Sequence, residues 1–450
     1  MSIAALCRFF RDRKGNIAIT FAFALIPALY LTGMSIDYIS ATQKKAKLDA
    51  LADAAVLAAL TPSMLHQTDA TAQAAAQNVF QAQLPSIPGL NFDPKAGLTV
   101  TMSSNITTRN ITVTYNASSQ NYFPGVLKLN AINLTGTSKG SASFPPNIDF
   151  YLLLDNSPSM AIPATSAGIT AMKNATIGQD GKGVGCAFAC HQSNPSDLNP
   201  QNPGGVDNYQ LAKNLGVSTR IQLVSSAVSQ LTTTATNTAA QNKSTYRMAL
   251  YTFNNAGADV VTPLTSSLTI VGSQAQNIDV MEVYKNNWIT STVNNSDADT
   301  DFGKAMSDIN TAMPPPGTGL TGSSPQEILF LVSDGVDDAN SPTPSCTQNL
   351  SGNRCQQMFN TTWCTTVKNR GIRIAVLYTV YLPMTSNSWY NNWVAPWQKW
   401  IDTPPQDKVS DNMQNCATPG LFKSVTTDGD IAAALNQLFQ NAVQMAHLTQ

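Results

Sequence analysis

The stretch NIAITFAFALIPALYLTGMSI, from Asn16 to Ile36, carries no charged side chain. About 20 such residues are what a helix needs to cross the hydrocarbon core of a bilayer, where the backbone must satisfy its own polar groups. The stretch therefore reads as one transmembrane helix, and Pro27 and Gly33 are tolerated inside it. Arg8, Arg11, Arg13 and Lys14 precede it against Asp12 alone. The positive-inside rule then puts residues 1–15 in the cytoplasm and the chain after Asp37 outside it. A cleaved signal peptide shares the basic start and apolar centre, but here the apolar run passes straight into a further helical pattern. No later run is long and apolar enough to return.

Composition agrees with that address. Of 450 residues only 12% are charged, and the formal net charge is −1. Nothing in that balance invites nucleic acid. A surface rich in Asn, Ser, Thr and Gln suits an extracytoplasmic protein. Cys7 falls on the cytoplasmic side; Cys186, Cys190, Cys346, Cys355, Cys364 and Cys416 fall outside. An even number in an oxidising compartment can pair, and spacing alone leaves the connectivity open. Pairing of sequence neighbours, 186 with 190, 346 with 355 and 364 with 416, is the simplest arrangement.

Beyond the membrane, QKKAKLDALADAAVLAAL sets Leu48, Leu51, Ala52, Ala55, Val56 and Ala59 at helical spacing, extending the membrane helix as an amphipathic rod. A second alanine-rich helix is expected over 68–82. GLTVTM, NITVTY and AINLTGTSKGSAS then alternate apolar and polar residues as short strands do. FPPN, 144–147, reads as a linker closing a small α+β region at 37–145. From 146 to 450 apolar strands alternate with helices, the mark of a parallel sheet covered on both faces. The strands are IDFYLLL, YRMALYTF, EILFLVS and IRIAVLYTVYL. Ile221, Val224, Val228 and Leu231 share a helix face, and a last helix is expected from about Asp428, with Asp428 as its N-cap. Insertions interrupt this α/β core near 161–215, 338–365 and 383–420.

In such sheets ligands gather at the carboxyl ends of the strands. DFYLLLDNSPSM puts Asp155, Ser157 and Ser159 just past one end, and LFLVSDGVDD puts Asp334 past another. DADTDFGKAM offers Thr300 in a loop opening a helix. Two carboxylates and three hydroxyls, all hard oxygen donors, suit a Mg²⁺-like ion. Serines that merely cap a helix are the plainer reading of the first motif.

The set Asp-x-Ser-x-Ser, Thr and Asp-Gly, in this order, resembles the metal-ion-dependent adhesion site of von Willebrand factor A domains. That resemblance implies a mostly parallel, doubly wound sheet. It implies that Ser157, Ser159 and Thr300 touch a divalent cation, Mg²⁺ first and Mn²⁺ or Ca²⁺ as alternatives. Asp155 and Asp334 would hold it mostly through water, and the under-neutralised ion would capture a partner's carboxylate. The start of the chain, GNIAITFAFALIPALYLTGMSIDYISATQKKAKLDALADAAVLAA, is similar to TadE-like and TadG-like proteins of the Flp (tight adherence) pilus system. GCAFACH followed by RIQLVSSAV is similar to the TadG-like members, which join such a start to a von Willebrand A domain. Pilin-type processing after Gly15 would favour Glu at the fifth residue following; that residue is Thr20, so such cleavage is not expected.

Other signals are weaker. Asp297, Asp299 and Asp301 are spaced as in an EF-hand, but the glycine comes late, at Gly303, and Asp308 stands where Glu belongs. His191 follows Cys190 one residue out of step with haem attachment, and His66 and His447 are far away in sequence from any zinc partner. GQDGKG, 178–183, lacks the spacing of a phosphate loop and follows no strand, so no nucleotide is expected. Trp389, Trp393, Trp397 and Trp400 fall at helical spacing broken by Pro396, either packing an insertion on the sheet or facing a partner.

The resemblances together imply a single-pass bacterial inner-membrane protein, its bulk periplasmic, that is no enzyme. Its partners would be pilus-assembly or envelope proteins offering a carboxylate to the bound ion. A surface adhesin using the same ion is the alternative. A metal-dependent hydrolase is a third, for which no base or nucleophile near Asp155 is evident.

Overall fold

The structure is a computed structural model that describes residues 16–105, 108–124, 129–179, 183–187, 203–281, 299–340, 346, 354–399, 406–426 and 429–448. The chain divides into two compact units, residues 1–144 and 145–450.

In the first unit, helix α1 runs unbroken from Asn16 to Ala59, 44 residues. At 1.5 Å per residue it is about 65 Å long. It is the one helix among the described residues long and apolar enough to cross a membrane. Its outer half buries a stripe of Ala41, Leu48, Leu51, Ala52, Ala55, Val56 and Ala59, the expected amphipathic rod. Helix α2 (Asp69–Ala82) follows, its first turn satisfied by the Thr68 hydroxyl accepting the Thr71 N–H at 3.2 Å. Four antiparallel strands complete the unit: β1 (Leu90–Phe92), β2 (Leu98–Ser104), β3 (Thr108–Gln120) and β4 (Ala131–Ser143). Strand β3 alternates strictly, so Ile111, Val113, Tyr115 and Ala117 point into one core with both helices. Burying one face of a sheet under an amphipathic stripe is what this period-two pattern encodes.

In the second unit six strands form one sheet: β5 (Ile148–Asp155), β6 (Tyr246–Asn254), β7 (Gly257–Thr265), β8 (Gln326–Ser333), β11 (Arg373–Val380) and β14 (Phe422–Thr426). Their spatial order is β14-β11-β8-β5-β6-β7, parallel throughout except for β7 at one edge. A short hairpin pairs β9 (Val336–Asn340) with β10 (Arg354–Met358), and two-residue strands β12 (Gln398–Lys399) and β13 (Gln406–Asp407) pair nearby.

Both faces are covered. Helices α3 (Arg220–Asn242), α4 (Leu268–Ala275) and α9 (Ile431–Leu448) pack one side through Ile221, Val228, Leu231, Val271, Leu435 and Phe439. Helices α5 (Phe302–Ala312), α6 (Thr362–Asn369) and α8 (Lys408–Cys416) pack the other through Phe302, Met306, Ile309, Val367, Val409 and Met413. This is the doubly wound, mostly parallel α/β arrangement of a von Willebrand A-like fold, and every residue of β5 and β8 is buried within it. The cap of α9 is Asp430, whose carboxylate accepts the Ala433 N–H at 2.8 Å, and the helix starts at Ile431. The expected cap, Asp428, lies outside the described residues.

Two disulfides follow the neighbour-pairing expectation. Cys364 joins Cys416, and Cys346 joins Cys355. Cys186 is also disulfide-bonded, while its expected partner Cys190 lies outside the described residues. Helix α7 (Ser388–Trp393) stops before Pro396, and Trp389 and Trp397 pack against buried apolar clusters. Trp400 lies outside the described residues.

Candidate metal centre

Strands β5 and β8 are hydrogen-bonded neighbours in register, Leu154 opposite Val332, so Asp155 and the Ser333–Asp334 pair emerge together at the carboxyl edge. Gly335 then turns the chain at φ 78°, and a Cβ there would meet the Val409 side chain at 2.6 Å. A left-handed conformation with no room for a side chain calls for glycine.

Four of the five expected residues form one hydrogen-bonded chain. The Asp155 carboxylate accepts the Ser157 N–H at 3.0 Å and the Ser333 hydroxyl at 2.6 Å. The Ser157 and Ser159 hydroxyls lie 3.0 Å apart, and Ser159 donates to Asp334 Oδ2 at 2.6 Å. The serines are not caps: Ser157 precedes the 3-10 turn Pro158–Ala161, yet its hydroxyl makes no capping bond there.

Thr300 is outside that chain. It is buried in the loop before α5, where its backbone pairs with Asp338 of β9 at 3.0 and 2.9 Å. The next turn is tied to the same rim, because Asp337 accepts the Phe302 N–H at 2.9 Å. Thr290 and Thr292, the threonines next upstream in the sequence, lie outside the described residues.

Sequence reading missed the groups that hold Asp334. Arg220, at the start of α3, places Nη1 3.2 Å from Asp334 Oδ2, and both side chains are 1% exposed. Its guanidinium stacks 4.0 Å from the Tyr381 ring centroid, and the Tyr381 hydroxyl donates to the same Oδ2 at 2.6 Å. Arg220 Nε and Nη2 are buried without a hydrogen-bond partner among the described residues. Ser333 and Asp337 adjoin the recognised Asp334 and were there to be read. Arg220 and Tyr381 carried no local signal.

Burial, and then the nearby charge of Asp334, raise the Asp155 carboxyl above the ordinary carboxylate range. Burial also pushes Asp337 up to about 8, reinforced by Asp301, Asp338 and Asp155 against the Phe302 N–H. Asp155 and Asp337 thus sit on a rim where burial and neighbouring acids disfavour their ionisation. Oxygen donors on a rim of unfavourable negative charge fit a hard divalent cation. The Arg220 guanidinium occupies part of that electrostatic role at Asp334.

Among the described residues, Asp301 and Asp308 of the EF-hand-like stretch are engaged elsewhere. Asp301 caps α5 by accepting the Lys304 N–H at 2.7 Å, and Asp308 pairs with Lys304 and the Ala258 N–H. Asp297 lies outside the described residues, as do His191 and residues 180–182 of the glycine-rich stretch.

A sheet of this order, parallel but for one edge and covered on both faces, is a von Willebrand A-like fold. Residues 15–78 match the Tad family model, described as Flp pilus-assembly TadE/G-like. No curated protein sequence matches the chain. Among solved structures, proximal thread matrix protein 1 from the mussel byssus is similar at 10% identity, TM-score 0.31, over 68% of this chain and 47% of its own. The pilus adhesin SpaC from Lactobacillus rhamnosus GG is similar at 11% identity, TM-score 0.33, over 81% of this chain and 35% of its own. The chain thus spans about half and about a third of the lengths of these two. The SpRpn10 VWA domain is similar at 11% identity and TM-score 0.31, over 65% of this chain and 95% of its own.

Proposed function

We propose that this protein is a membrane-anchored, non-enzymatic component of Flp/Tad-type pilus assembly. Its von Willebrand A-like unit holds a divalent ion and, through it, an acidic group of another envelope or pilus protein. The anchor is α1, with residues 1–15 on the cytoplasmic side and the chain beyond Asp37 in the periplasm. The match of residues 15–78 to the Flp pilus-assembly family supports the setting.

The observation that carries the ion site is the hydrogen-bonded chain Asp155–Ser157–Ser159–Asp334 across the ends of β5 and β8. Ser157 and Ser159 would supply hydroxyl ligands, Thr300 a third from the neighbouring loop, and Asp155 and Asp334 the counter-charge. The bound ion would act as a Lewis acid toward an incoming carboxylate. The chain's own residues bury and orient the donors and keep their number of charges low. With Arg220 paired to Asp334, such a set would leave net positive charge for a partner to neutralise, which favours capture over turnover.

The test is calorimetric titration of Mg²⁺ and of Mn²⁺ into the full chain in detergent micelles, beside Asp155→Ala. Saturable binding that the variant loses is the expected result. A folded wild-type chain that takes up neither ion overturns the ion-binding reading.

A further inference from the structure

The first unit carries an exposed apolar patch that its antiparallel sheet does not need. Beyond the uncharged run, the large apolar side chains described as exposed in this unit are Tyr38, Ile39, Leu57, Tyr122, Phe123 and Leu129. Leu57 apart, all of them gather where α1 leaves that run. Tyr38 and Ile39 follow Ile36 on the helix, while Tyr122, Phe123 and Leu129 flank the turn between β3 and β4.

Two contacts fix the turn at that level. The buried Asp37 carboxylate accepts the N–H of Tyr122 at 2.7 Å and of Phe123 at 3.2 Å. Phe123 also lies against Gly33: a Cβ on Gly33 would stand 3.2 Å from the Phe123 ring. Gly33 is three residues inside the uncharged run, about 4.5 Å along the axis from Ile36. Lys44, about two turns beyond Asp37, places Nζ 5.7 Å over the Tyr122 ring. Tyr122 and Phe123 nonetheless remain 65% and 43% exposed.

We infer that Tyr122, Phe123 and Leu129, with Tyr38 and Ile39, form a collar that inserts into the bilayer interface and seats the first unit on the membrane. The inference rests on the reading of α1 as a transmembrane helix. Aromatic residues favour the headgroup level, where an apolar ring and a polar tip are both satisfied. A depth of about 5 Å matches that of side chains known to lie in this zone. Asp37 allows it because its charge is spent on two backbone N–H groups of the collar itself. The occupant is lipid because the patch is continuous with the exposed apolar surface of residues 19–36 and sits at its outer limit. Among the described residues, the hairpin's far end shows no such patch: β2 and β4 end there in Ser103, Ser104, Ser141 and Ser143.

The test uses the full chain in vesicles of phosphatidylethanolamine and phosphatidylglycerol, with p-benzoylphenylalanine placed singly at four positions. Phe123 and Tyr122 probe the collar, Leu25 the span, and Ser103 the far end. Ser103 pairs opposite Asn110, which is roughly 33 Å along β3 from Gln120 at about 3.3 Å per residue. Irradiation followed by mass spectrometry should give lipid adducts at Leu25, Phe123 and Tyr122, about fivefold or more above Ser103. Adducts at Leu25 with only the Ser103 background at Phe123 and Tyr122 would overturn the collar and leave the span intact. Protein adducts at Phe123 and Tyr122 in place of lipid would overturn it in favour of a protein-covered patch. Background at Leu25 as well would sink the membrane reading and the collar with it.

Discussion

Strand β5 carries a buried acid at each end, and the two are treated differently. At its start Asp149 meets Arg247, which donates from Nε at 2.7 Å and from Nη2 to the second oxygen. That fork-to-fork pairing satisfies a carboxylate completely, and the arginine is 35% exposed. At the other end Asp155 receives hydroxyls and an N–H, with a second acid close by and the nearest arginine committed to Asp334. The first end is closed. The second is left short of positive charge, as the proposed ion site requires.

The sharpest way to break this comparison is to remove the one built-in cation at the open end. Arg220→Met should cost about 3–5 kcal/mol in thermal or urea unfolding without divalent ions, because Asp334 is left buried with hydroxyl donors but no counter-charge. Much of the loss should return with Mg²⁺ or Mn²⁺, whose charge takes the place of the guanidinium. Arg247→Met at the closed end should cost less and recover nothing. Equal recovery at both ends would end the distinction.

Next in size is the ion itself. At a hundred times its dissociation constant, Mg²⁺ should stabilise the wild-type chain by about 2.7 kcal/mol and leave Asp155→Ala unmoved, as read by urea midpoints. No shift in the wild type would count against the site.

A further effect belongs to the closed end. Glu327 is buried with Oε2 unpartnered among the described residues, and burial, with Asp149 beside it, pushes its carboxyl from 4.5 up to about 8. Its folded pKa lies above the unfolded one, so its contribution is fully present below pH 4.5 and is lost as pH rises through about 8. Stability should fall over that interval, and Glu327→Gln should flatten the slope. An unchanged slope would show the charge to be accommodated.

Smallest is Ser157→Ala, which removes one ligand hydroxyl while keeping both acids. About a tenfold loss of ion affinity is expected by calorimetry, the equivalent of one modest hydrogen bond. No change would remove Ser157 from the donor set.

Much of this was legible in the sequence, and what was not has physical reasons. Strands β5 and β8 declare themselves because a strand buried on both faces must be apolar throughout, and each ends sharply in acids and hydroxyls. Strand β7 hides because it is a partly exposed antiparallel edge with a disturbed register. Strand β14 hides because it is short and only partly buried, at the opposite edge. Asp-x-Ser-x-Ser and Asp-Gly are local patterns and could be read, although Ser159 and Asp334 are 175 positions apart. Arg220 sits 114 positions from Asp334 with no pattern of its own. Only the packing of α3 against the strand tips brings it in.

Helix α1 has neither glycine nor proline between Gly33 and its end at Ala59. It therefore has no joint where it leaves the apolar run, and the first unit is built onto a stiff lever. A tilt of about 20°, ordinary for membrane helices, would swing Ala59, some 35 Å beyond Ile36, sideways by roughly 12 Å. Motion of the span in the bilayer, driven by neighbours or by load, would arrive at the far end of this unit magnified instead of absorbed.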